Sequence, residues 1–102
     1  MLGMRPNCEC CDCDLAATDP QAMICSYECT FCGRCVADVL KNVCPNCGGG
    51  FVQRPLQPSN ARQEGVSLQL HPASTERRLT SFSVEEVSAF SALHAHCPPE
   101  ER

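Results

Sequence analysis

Residues 25–47 read CSYECTFCGRCVADVLKNVCPNC, six cysteines in three pairs around one short apolar stripe. The pairs are Cys25-x3-Cys29, Cys32-x2-Cys35 and Cys44-x2-Cys47, and upstream of them stands a fourth, Cys8-x2-Cys11. Two thiolates two or three residues apart can hold one tetrahedral Zn²⁺ through a tight turn, with Zn–S near ~2.3 Å. The eight sulfurs of Cys8, Cys11, Cys25, Cys29, Cys32, Cys35, Cys44 and Cys47 suffice for two closed all-cysteine sites. Closed sites hold folds together, whereas a catalytic zinc keeps a position open for water. The expectation is a structural module with two zinc ions.

The residues between the pairs fit a small metal-stabilised α+β unit over residues 1–54. Ala22 to Glu28 reads as a short strand carrying the second pair. Between Gly33 and Val43, the residues Val36, Val39, Leu40 and Val43 recur at the spacing of one buried helical stripe, with Asp38 and Lys41 off it. Metal would then fix both ends of that helix. Asp14 to Gln21 is polar and turn-rich, a surface loop. Glycines 48–50 let the backbone turn tightly after the last pair, and Phe51 and Val52 can either close the core or stay exposed.

Size and charge narrow the chemistry. The chain has 102 residues, 11 cysteines, no Trp and a single Tyr, so large aromatic burial is not available. A unit of about half that length rarely stands on burial alone, and a structural zinc supplies on the order of 10 kcal/mol or more. The first seven residues contain no apolar run of signal-peptide length, and no segment approaches a membrane span. The expected location is the cytoplasm, where thiols stay reduced and bind metal, and an odd cysteine count also argues against a disulfide framework. The formal net charge is −4, and residues 1–54 carry four basic against six acidic side chains. Metal-bound thiolates make that region more acidic still. Nucleic-acid binding rests on Lys/Arg patches that neutralise phosphates, so nucleic acid is excluded as a partner, as is a membrane.

Beyond Arg54 the composition changes. Pro55, Pro58, Ser59 and Asn60 open a linker, and residues 55–82 read as mostly disordered. Ser83-Val84-Glu85-Glu86 has capping-box spacing and starts a helix over 83–96, with Val84, Val87, Phe90 and Leu93 read along one face. Residues 97–102 read as a disordered tail. A lone helix of that length is marginal unless it packs on something.

The order pair, x13, pair, x2, pair, x8, pair resembles the RING-finger pattern, with cysteine at the position often held by histidine. Phe31 directly before Cys32 and Pro45 directly after Cys44 add to the resemblance. It implies a RING-like, treble-clef-type fold with one short helix and a small hairpin, and cross-braced ligation. Cys8, Cys11, Cys32 and Cys35 would then share one zinc, and Cys25, Cys29, Cys44 and Cys47 the other. The spacing by itself leaves sequential pairing open. Arg5 to Cys11, Ile24 to Cys32 and Val43 to Gly49 also resemble a narrower family of short bacterial proteins, domain-of-unknown-function family 1272, over roughly residues 1–58. That resemblance implies a bacterial, cytoplasmic zinc-binding protein. Its members carry a basic residue where this chain has Cys13, which implies that Cys13 is not an essential ligand.

Three features argue against a RING-type ubiquitin ligase. Cys10 occupies the place of the apolar residue before the second ligand, no aromatic residue lies between Phe31 and Phe51, and Gly48 follows the final ligand where many ligases have a basic residue. Cys8/Cys11 and Cys10/Cys13 are alternative x2 registers, and the family resemblance favours the first. Cys10 and Cys13 are then spare thiols beside a metal site, or a redox reserve. His94-Ala95-His96-Cys97 offers at most three adjacent ligands, and Cys97 reads as a free thiol. No residue set has a recognisable catalytic arrangement, so an enzyme is not expected. The functional expectation is a protein-interaction adaptor with an unidentified protein partner. The alternative is a zinc- or thiol-redox-responsive regulator.

Overall fold

The computed structural model describes residues 2–102. Ala22–Ile24 (β1) and Thr30–Cys32 (β2) form an antiparallel hairpin with Met23 opposite Phe31. Val52–Gln53 (β3) adds antiparallel to the other edge of β1, giving a three-stranded sheet in the order β2-β1-β3. The strand expected to reach Glu28 stops at Ile24. From Cys25 the backbone must curl to bring its sulfur back. The Cys25 amide donates to the Cys29 carbonyl, the Glu28 amide donates to the Cys25 carbonyl, and Glu28 takes a left-handed φ of 64°.

A single helical turn, Gly33–Cys35 (α1), follows β2 and widens directly into a π-helical turn, Val36–Leu40. The helix expected to run to Val43 thus ends three residues early, at two successive left-handed residues, Lys41 (φ 51°) and Asn42 (φ 61°). These reverse the chain so that the Val43 amide reaches the Leu40 carbonyl at 2.9 Å and the Val43 side chain is buried. The apolar stripe itself is inward as expected. Val36, Leu40 and Val43 are buried, Val39 is partly so, and Asp38 and Lys41 face water.

The core is small. Phe31 meets Phe51 edge-on, with ring centroids 5.4 Å apart at 75°, and Leu15, Ala22, Val36 and Leu40 pack around the buried cysteines. Leu15 and Ala17 depart from expectation, pointing inward from the loop that looked wholly superficial. Of Phe51 and Val52, which the sequence left open to burial or exposure, Phe51 is buried and Val52 exposed.

The C-terminal helix, Val84–His94 (α2), starts where its capping box requires. Ser83 Oγ accepts the Glu86 amide at 3.1 Å, and Glu86 Oε1 accepts the Ser83 amide at 3.0 Å. It rests on the π-helical turn through Val87 and through Ser91, whose hydroxyl donates to the Leu40 carbonyl at 2.8 Å. The apolar face differs from the one read off the sequence, since Val84 and Leu93 are exposed. At about 100° per residue, a repeat of three slips by about 60° each step, so positions nine apart end on opposite sides. Val87→Ala should therefore lower the unfolding free energy by about 1.5–2 kcal/mol, while Leu93→Ala should change it by less than ~0.5 kcal/mol. Denaturant titration of the two variants measures the difference.

Between core and α2, residues 55–82 contain no helix or strand, and 74–80 run beside the N-terminal arm and the first cysteine turn. The Ser74 amide donates to the Met4 carbonyl and the Thr80 amide to the Glu9 carbonyl, each at 3.0 Å. Asn7 exchanges two bonds with the backbone of Arg78. A 3₁₀ turn, Pro99–Glu101, ends the chain. Among the described residues no helix is long and apolar enough to cross a membrane.

Candidate metal centre

The cysteine sulfurs gather in two groups. Cys8, Cys11, Cys13 and Cys32 lie with all ligand atoms within 4.8 Å of one another, and so do Cys25, Cys44 and Cys47. The remaining two of the eight cysteines expected as ligands adjoin these groups. Cys35 ends α1 one turn after Cys32, buried in the same cluster as Cys8 and Cys32, and Cys29 closes the Cys25 turn, its carbonyl accepting the Cys25 amide at 3.2 Å. The chain thus brings its first pair to its third and its second to its fourth, interleaved rather than in sequence order. Cys13 is the addition that sequence reasoning set aside, although it stands only two residues beyond Cys11.

Two matching turns build the groups. Cys8 Sγ accepts the amides of Cys10 (3.4 Å) and Cys11 (3.5 Å), and the Asp12 amide closes this turn on the Cys8 carbonyl as the Gly48 amide closes the last one on that of Cys44. Such N–H···S bonds leave the sulfur partly stabilised as an anion. The first turn therefore closes on Cys8 rather than Cys10. β2 delivers Cys32 at its last residue and α1 delivers Cys35 at the end of the next turn. Gly48, with φ 81°, carries the chain out of the last turn, where its amide donates to the Cys44 carbonyl at 2.7 Å.

Crowded thiols titrate as a set. Burial pushes Cys8, Cys35 and Cys44 up, with the neighbouring sulfurs of each group adding to the effect. Cys11 is opposed by burial too. Yet hydrogen bonds from the Cys13 amide and from the thiols of Cys13, Cys8 and Cys35 lower it to about 7, while Cys13, desolvated and donating to Cys11, is pushed up to about 12. A cluster that stabilises the Cys11 thiolate and holds back those of Cys8, Cys13 and Cys35 is short of positive charge, which a divalent cation would supply while displacing the protons.

Polar residues outside the cysteine pattern lock the two turns together. Glu9 is buried, and its Oε2 accepts the Thr30 amide at 2.8 Å while Oε1 accepts Asn46 Nδ2 at 3.2 Å, joining the first turn, β2 and the last turn. Asn7, also buried, bonds Asp12 Oδ1 at 2.9 Å. Arg77 reaches in from the C-terminal segment and clamps both flanking acids, Asp14 at 2.7 Å and Asp12 at 2.9 Å, so these carboxylates are balanced beside the thiols. Those hydrogen bonds, to Asp14 and then Asp12, hold the Arg77 guanidinium above its usual pKa. Nothing in periodicity or spacing marks Glu9, Asn7 or Arg77 in advance. His94 and Cys97 line a cavity of about 330 Å³ with Cys47 and Phe90, and the His94 ring lies 4.6 Å from that of Phe90. Among the described residues they form no third group of ligands.

Residues 1–57 match the family described as Protein of unknown function (DUF1272). The chain belongs to that family. Every cysteine of the two groups falls inside the DUF1272 region, and α2 lies beyond it. The DUF1272 chain is also similar to an uncharacterized protein of Rhizobium meliloti (strain 1021), 51% identical over 79 residues, which cover 78% of this chain and 87% of the relative. No solved structure matches it.

Proposed function

We propose that this DUF1272 protein is a zinc-stabilised interaction module, a RING-like cross-brace of two four-sulfur sites that serves as an adaptor rather than an enzyme. The observation that carries the metal reading is the 3.8 Å separation of Cys11 Sγ and Cys32 Sγ. Ligand sulfurs of a tetrahedral site with Zn–S near ~2.3 Å stand about 3.8 Å apart. An all-thiolate set selects a soft or borderline ion, and tetrahedral S₄ suits zinc. In this reading Cys8, Cys11 and Cys32 share one ion with Cys35 or Cys13. Cys25, Cys29, Cys44 and Cys47 share the other. Neither set leaves a position for water, so the zinc orders the chain and does no chemistry.

The adaptor role is supported by the surface around the second site. Tyr27 and Val52 are 74% and 66% exposed, on either side of the Cys25 turn, and large exposed apolar side chains near rigid metal turns are suited to a protein partner. The acidic charge of the module disfavours nucleic acid.

Native mass spectrometry of protein purified without added metal should find two zinc ions per chain, and one or none would overturn the two-site reading. Affinity capture from the source cells should then retain a protein with the wild type and lose it with Tyr27→Ser/Val52→Ser. Equal capture by both would remove the adaptor reading from this surface.

A further inference from the structure

The two cysteine groups are not equally supplied. At the second, Cys25, Cys44 and Cys47 with the adjoining Cys29 give four sulfurs for four positions. At the first, Cys8, Cys11, Cys13 and Cys32 are already four within mutual reach, and Cys35 is a fifth just outside them, one helical turn after Cys32 and in the same buried cluster as Cys8 and Cys32. A tetrahedral ion takes four ligands. Cys8, Cys11 and Cys32 are common to either choice, so only the fourth position is contested, between Cys13 and Cys35.

Both contenders stand on fixed backbone. The Cys13 carbonyl accepts the Cys8 amide at 2.9 Å, and Cys35 ends α1, one turn after Cys32. Neither needs the chain to refold in order to reach the ion. A side-chain rotation would exchange them, and zinc can pass through five-coordination on the way.

We propose that the first site is a five-thiol centre in which Cys13 and Cys35 exchange as the fourth ligand to one thiophilic divalent ion. The proposal rests on the two-zinc reading above. In the exchange one metal–sulfur bond forms as another breaks, the incoming thiol releases a proton and the departing thiolate takes one up, so the charge of the centre is unchanged. No oxidant is involved. Because the departing ligand is replaced from within, this site opens to incoming thiols and chelators through a partly released sulfur, while the second site has no such route.

The test is the zinc count by native mass spectrometry for the wild type, Cys13→Ser, Cys35→Ser and the double variant. The expected counts are two, two, two and one, and cobalt-substituted single variants should each keep the thiolate-to-metal absorption of two four-sulfur sites. Loss of a zinc from either single variant would identify a fixed ligand and overturn the exchange, and so would two zincs in the double variant. A second measurement uses transfer of zinc to a chromogenic chelator. The wild type should give one fast and one slow zinc, and Cys13→Ser should lose the fast phase. A fast phase that survives in Cys13→Ser would equally overturn it. Fewer than two zincs in the wild type would instead overturn the reading on which the proposal rests.

Discussion

Removal of the metal by a strong chelator at neutral pH should unfold residues 8–52 in one transition and release α2 with them. The size of the effect follows from how little else there is. The longest strand has three residues and the helical turn before the π-turn also has three, lengths that are not stable alone. A core this small nets roughly 3–5 kcal/mol at most, against on the order of 10 kcal/mol or more for each structural zinc. Without cation charge the buried sulfurs of Cys8, Cys32 and Cys44 would either be crowded thiols or unpaired anions. α2 rests on Val36–Leu40, so it loses its support when that turn goes. Backbone amide spectra before and after chelation measure this. Retention of native chemical-shift dispersion in the metal-free protein would refute the structural role of zinc.

Arg54→Met should cost about 2–4 kcal/mol of stability in the metal-loaded protein. Arg54 is fully buried at the end of the sheet, immediately after β3. Its Nη1 donates to the Arg5 carbonyl at 2.9 Å and its Nη2 to the Ala16 carbonyl at 2.8 Å. Burial pushes its pKa below the usual value, with the Asp19 charge opposing. One side chain thereby ties the N-terminal arm, the 14–21 loop and the end of the sheet. Methionine keeps much of the apolar length, so its substitution reports on the lost hydrogen bonds and the stranded carbonyls. For a domain of this size, each kcal/mol moves the melting midpoint by about 4–8 °C. An unchanged midpoint would mean that water replaces all of these bonds.

Much of the frame was legible because it repeats. The stripe of Val36, Leu40 and Val43 and the Ser83–Glu86 box each follow from a spacing rule, and each stands in the structure where its rule puts it. Of the ladder of pairs, Cys8, Cys11 and Cys32 gather in one group and Cys25, Cys44 and Cys47 in the other. The sheet's third strand, the π-helical widening and the early stop at Lys41 did not follow, because they depend on where the chain must return rather than on local preference. The same holds for the polar locks. Glu9, Asn7 and Arg54 are buried by partners 21 to 71 residues away, and no window of sequence contains both ends. The Val84–Leu93 stripe failed for a different reason, since a repeat of three mimics a helical face only over short stretches. Cys13 was set aside on a resemblance, and only the fold brings its sulfur among Cys8, Cys11 and Cys32.

The interleaving of the two sulfur groups has a consequence for how the chain is made and divided. The first group waits for Cys32 and the second for Cys44 and Cys47, while Cys25 of the second lies between the halves of the first. During synthesis the first group is therefore complete once Cys32 has been made, and the second only after Cys47. A break anywhere between Cys13 and Cys44 separates at least one group, and a break between Cys25 and Cys32 separates both. α2 lies outside the cysteine ladder, so a break before it leaves both groups whole.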